Sequence, residues 1–210
     1  MARTHEAVAA LKGRYQGEPV RVLVIPGLHG SGPDHWQTWL QSRFRGALRV
    51  EQRDWSRPDL EAWADRVAQT LDRAPPGPWV AVAHSFGCLT LARHFLRQGS
   101  ASPIKAALLV APAEPRKFGV EALLPQGPLP IPTTLFASTN DPWMTLERAQ
   151  HWAARWGSRS IDLGEVGHIN VEAGFGPFPL AKRTVDALIR RVEQARRIDR
   201  VTAVELSYAI

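Results

Sequence analysis

The chain has 210 residues, 44% of them hydrophobic and 22% charged, a length and balance that predict one globular domain, alone or with a short appendage, and exclude a disordered polymer. One cysteine, Cys88, excludes a disulfide framework and a cysteine-only zinc site, and no apolar run reaches the roughly 18 residues of a membrane-spanning helix. The net charge of +6 raises the question of an anionic partner, but neither zinc-finger spacing nor an RNA-binding aromatic signature accompanies it, so no nucleic-acid partner is expected.

Residues 1–19 read as an N-terminal extension without the apolar core of a secretory signal, so a soluble, cytoplasmic protein is expected. Residues 20–25 form a short β-branched run ending in Pro26-Gly27, the pattern of a buried strand. A helix is expected over residues 34–45 and a weaker strand over 47–55. Leu60, Trp63, Ala64, Val67, Ala68 and Leu71 fall on one face of an amphipathic helix, with Ser56 as its expected cap. A turn at Pro75-Pro76-Gly77-Pro78 precedes a third strand at 79–83, and a helix follows over 86–98. Further strands are expected at 104–111, 133–137 and 158–163, with helices at 145–156 and 179–197. Residues 112–132 carry six prolines and read as a long, mobile loop. The domain proper is expected to end near residue 191. Residues 192–210 would then be a basic tail, and the arginines there read best as a solvated helix face.

Strands alternating with helices imply a parallel sheet covered on both faces, and in such folds ligands bind beyond the carboxyl ends of the strands. Three such ends carry chemistry. Ala83-His84-Ser85-Phe86-Gly87 has the strand–turn–helix context of a nucleophile elbow, with Ala83 in place of the first glycine. The competing reading of Ser85 is a plain helix cap. Asp141 and His168 each follow a later strand, giving the order Ser85, Asp141, His168. Serine needs a base to take its proton, histidine can do so near neutral pH, and an aspartate would hold the imidazole in the right tautomer. Taken singly, Asp141 could be a turn residue and His168 a loop residue, and Glu114 competes for the acid's role. His84 is expected to point away from the serine.

The loop Pro26-Gly27-Leu28-His29-Gly30-Ser31-Gly32-Pro33-Asp34-His35-Trp36 lacks the Gly-Lys-Ser/Thr ending of a phosphate-binding loop. It reads better as the second half of an oxyanion hole, with the N–H groups of Leu28 and Phe86 as donors. His29, His35, Trp36, Phe118 and Trp143 are candidate pocket residues. Core packing is the competing reading for the aromatics, and Cys88 in the elbow helix reads as a buried small residue rather than a second nucleophile. No cluster has metal-ligand spacing, so neither metal nor cofactor is expected.

With these motifs in order, the chain resembles the small serine hydrolases related to retinoblastoma-binding protein 9. The resemblance rests on residues 26–36, His84-Ser85-Phe86-Gly87-Cys88, residues 138–142, Gly167-His168-Ile169-Asn170 and Gly174-Phe175-Gly176, and covers about residues 20–191. It implies an α/β-hydrolase fold of about six mostly parallel strands, helices on both faces and no separate lid domain. It also implies Ser85, Asp141 and His168 as a triad acting on a small-molecule ester or amide. An open, shallow site is expected, with only the 112–132 loop over it. An acyltransferase with the same triad and a non-catalytic protein-binding module are the alternatives. No protein partner can be named from these motifs.

Overall fold

The computed structural model describes the backbone of residues 17–208 and the side chains of 17–199. Most of the expected N-terminal extension therefore lies outside the described residues. Six strands form one sheet in the order β2-β1-β3-β4-β5-β6, with every neighbouring pair parallel. They are β1 (Arg21–Ile25), β2 (Leu48–Arg49), β3 (Trp79–His84), β4 (Ile104–Val110), β5 (Thr133–Ala137) and β6 (Arg159–Asp162). The helices are α1 (Trp36–Gln41), α2 (Leu60–Arg73), α3 (Phe86–Gln98), α4 (Leu146–Trp156) and α5 (Pro179–Tyr208).

Both faces of the sheet are covered, which is why its central strands are uniformly apolar. Alternate residues feed opposite layers. Leu23, Ile25, Ala81 and Ala83 pack with α2, α3 and α4. Val22, Val24, Val80 and Val82 pack with α1 and α5. The edge strands β2 and β6 are short and far less buried. Chain order reverses direction across the sheet between β1 and β3, so the crevice beyond their carboxyl ends is the place for a ligand.

Several local expectations are corrected. The second strand shrinks from 47–55 to two residues, because the chain leaves the sheet edge after Val50 and turns at Asp54, whose carboxylate accepts from Ser56 N–H and Oγ–H. Ser56 is thus spent on that turn, and the cap of α2 is Asp59, which accepts from Ala62 N–H at 3.0 Å. Helix α1 starts at Trp36 rather than residue 34, because His35 is extended and caps it, its ring accepting from Gln37 N–H. Helix α5 runs without a break from Pro179 to Tyr208, across the expected boundary at residue 191.

The 112–132 segment is packed rather than loose. It contains two 3₁₀ turns, Pro115–Phe118 and Glu121–Leu123, and buries Val120, Leu124 and Leu129 in the main core. Arg148 of α4 grips it through Glu114, with both contacts at 2.8 Å, and through Glu121 at 3.1 Å. No separate lid domain is present among the described residues. No helix among them is long and apolar enough to cross a membrane.

Candidate functional site

The turn between β3 and α3 carries Ser85 at φ 55° and ψ −125°, a strained conformation for a residue with a side chain. Its neighbours must be small for two reasons. A Cβ on Gly87 would lie 2.4 Å from the Ile25 carbonyl oxygen and 2.6 Å from that of Pro26. A Cβ on Gly27 would lie 2.7 Å from the Cβ of Ser85. The two glycines let the β1 loop and the elbow touch, and Leu28 lines the cleft beside Ser85. Phe86 opens α3, where an N–H has no acceptor within the helix.

His168 sits on the loop after β6. Its Nε2 lies 2.9 Å from Ser85 Oγ. Its Nδ1 lies 2.8 Å and 3.0 Å from the two carboxylate oxygens of Asp141. Trp143 N–H donates to Asp141 Oδ1 at 2.8 Å and fixes that carboxylate in turn. The loops after β5 and β6 are stitched together: Gly167 N–H donates to Asn140 Oδ1, and Ser138 Oγ accepts from Val166 N–H while donating to Asn140. The three residues singled out in the sequence therefore meet in one hydrogen-bonded line. Such a line can move a proton from a serine hydroxyl to an imidazole held in one orientation.

The cleft above it has a volume of about 460 Å³. Leu28 and four of the five candidate pocket residues, His29, His35, Phe118 and Trp143, line it. Trp36 does not. It is fully buried, and its Nε1–H donates to the Ile169 carbonyl at 2.8 Å, because α1 turns the ring under the His168 loop. Glu114, the rival acid, is engaged by Arg148, whose hydrogen bonds hold its carboxyl below the usual carboxylate range. It still lines the cleft, together with Lys117, Asn170, Val171 and Glu172.

His84 is the main residue the motifs misplaced. It lines the cleft, and its Nε2–H donates to the His168 carbonyl at 2.9 Å. Its ring centroid is 5.0 Å from those of both His35 and His168. Strand alternation held the signal, since His84 shares a face with Val80 and Val82, the face on which α1 and the His168 loop lie. Burial, then the neighbouring His168 and His35, push its pKa well below the usual histidine value. Burial, then Arg49 and His168, push His35 down to about 4. Both rings are therefore neutral at pH 7 and add no charge beside His168. Cys88 is buried, and desolvation raises its thiol pKa, so it is no second nucleophile at neutral pH. No group of His, Cys, Asp and Glu among the described residues could hold a metal ion.

The serine hydrolase family pattern matches residues 22–187. Among solved structures, a candidate YdeN-like hydrolase from Pectobacterium atrosepticum is 36% identical, with a TM-score of 0.74 over 92% of this chain and 98% of its own. The ydeN gene product of B. subtilis is 20% identical, with a TM-score of 0.65 over 80% of this chain and 97% of its own. The mouse alpha/beta hydrolase domain-containing protein 10 is 15% identical, with a TM-score of 0.59 over 82% of this chain and 90% of its own, a likeness of fold. No curated protein sequence matches the chain significantly. A family match spanning most of the chain, on a six-stranded parallel sheet shared with solved hydrolases, makes this protein a hydrolase of the α/β fold and a member of the serine hydrolase family.

Proposed function

We propose that the protein hydrolyses small esters or amides through an acyl-enzyme on Ser85. The observation that carries this reading is the line from Ser85 Oγ through His168 to Asp141, with contacts of 2.9 and 2.8 Å, at the mouth of a cleft. Neutral His168 donates Nδ1–H to Asp141, which leaves Nε2 free to accept the Ser85 proton. As that proton moves, Ser85 Oγ bonds to the substrate carbonyl carbon and negative charge gathers on the carbonyl oxygen. The N–H groups of Leu28 and Phe86 are the donors for that oxyanion, and one such donor is worth roughly 10²–10³ in rate. The bond to the leaving group then breaks, and the leaving atom takes the proton from His168 Nε2. Water repeats the sequence on the acyl-enzyme, giving its proton to His168 and freeing Ser85 and the acid.

The cleft volume suits a modest acyl or aryl group rather than a polymer. Mass measurement of the intact protein after a fluorophosphonate probe tests the reading. One adduct is expected on the wild type and none on Ser85→Ala. A folded wild type that takes no adduct would favour a non-catalytic binding module instead. A panel of esters and amides, with and without added alcohol, then separates the acyl groups and separates hydrolysis from acyl transfer.

A further inference from the structure

The cleft has two aromatic sides, and among the described residues the Trp143 side carries a cation, Lys117, that no ion pair engages. Phe118 packs 5.0 Å from the ring of Phe86, on the side of the proposed oxyanion donors. Trp143 packs 6.2 Å from the ring of His168, on the side of the group that would protonate the leaving atom. Trp143 is 51% exposed, although it lines the cleft and its N–H is tied to Asp141. Lys117 Nζ stands 5.2 Å over the Trp143 ring and donates to the Pro142 carbonyl at 3.2 Å.

The arginines that hold the same segment are matched by carboxylates. Arg116 pairs with Glu121, and Arg148 pairs with Glu114 and Glu121. No carboxylate among the described residues pairs with Lys117. The other cleft acid, Glu172, accepts from Asn170 at 3.5 Å on the His168 loop. A flat apolar surface beside the proton donor, capped by an unmatched ammonium, suits one kind of leaving group.

We infer that the substrates are esters or amides whose leaving group is aromatic or similarly flat and carries a carboxylate, with Trp143 under the ring and Lys117 on the carboxylate. This rests on the proposed role of Ser85. Lys117 is exposed, so solvent screening limits its contribution to about fivefold in selectivity. The carboxylate would replace the weak Pro142 contact with a charge-assisted hydrogen bond.

The test compares 4-acetoxybenzoate with its neutral methyl ester. Both give the same acetyl-enzyme, so the ratio of their kcat/KM values isolates recognition of the leaving group. The ratio should fall about fivefold in Lys117→Ala, persist in Lys117→Arg and fall further in Lys117→Glu. Added salt should lower the wild-type ratio and leave that of Lys117→Ala flat. Fluorophosphonate labelling of each variant reports whether its site is assembled. A labelled set in which the ratio is the same in wild type and Lys117→Ala overturns the inference and leaves the serine reading standing. A wild type that takes no label overturns both.

Discussion

Replacing Gly87 with alanine adds one methyl group at the point where the elbow touches β1. The new Cβ would sit 2.4 Å from the Ile25 oxygen, 2.6 Å from the Pro26 oxygen and 3.0 Å from the Pro26 carbonyl carbon. Favourable heavy-atom contact begins near 3.5 Å, so the end of β1 must withdraw by roughly 1 Å. All three obstacles are backbone, and Ile25 is locked into the β1–β3 ladder opposite Ala83. No side chain can swing aside, which puts the cost at the upper end of overpacking, about 3 kcal/mol. For a chain of this size that lowers Tm by about 6–12 °C. The same withdrawal carries Leu28, proposed above as an oxyanion donor, away from Ser85. A 1 Å misplacement of a catalytic group can cost about 10²-fold in rate, so fluorophosphonate labelling should slow by a similar factor. Gly127→Ala is the control, since its added Cβ meets nothing within 4 Å and its φ is not left-handed. Thermal melts and labelling rates of the two variants decide the matter. A Gly87→Ala protein that melts within about 2 °C of wild type and labels at its rate would refute the close-approach argument.

His84→Ala should lower kcat by about tenfold to a hundredfold with a smaller effect on KM, because it leaves the His168 carbonyl without its buried donor; His84→Gln, which restores an N–H there, should recover part of the loss, and equal losses in both variants would refute the positioning role. The histidines held neutral by burial make stability pH-dependent. His35 and His94 titrate near 4 in the folded protein against 6.5 for the free side chain, and His84 lies well below 6.5, so unfolding takes up protons and stability falls as pH drops from about 6.5 toward 4. Urea midpoints at pH 7, 6 and 5 should show this fall, and His94→Gln, remote from the cleft, should flatten it; an unchanged slope would refute the assignment of His94. Cys88 should resist iodoacetamide at pH 8 in the native protein and take one equivalent once unfolded, because burial keeps it protonated and out of reach; native-state alkylation counted by mass would contradict that burial.

What the linear pattern determined was whatever depends on near neighbours. β1 and β3 were legible because strands buried on both faces must be apolar throughout. The order Ser85, Asp141, His168 was legible because each follows a strand, and a parallel sheet brings those ends to one edge. Helix α3 was found to the residue, since Ser85 and Gly99 bracket its periodic run. Tertiary structure decided the rest. His84 was misjudged because the His168 carbonyl it holds is 84 residues away, and Trp36 because its acceptor is 133 residues away. The packing of residues 112–132 could not be read from prolines alone, since Arg148 and the core cluster that secure it come from elsewhere in the chain. Lys117 carries no motif at all. Its place in the cleft follows from how that segment folds against Trp143, a contact between residues 26 apart that local periodicity does not encode.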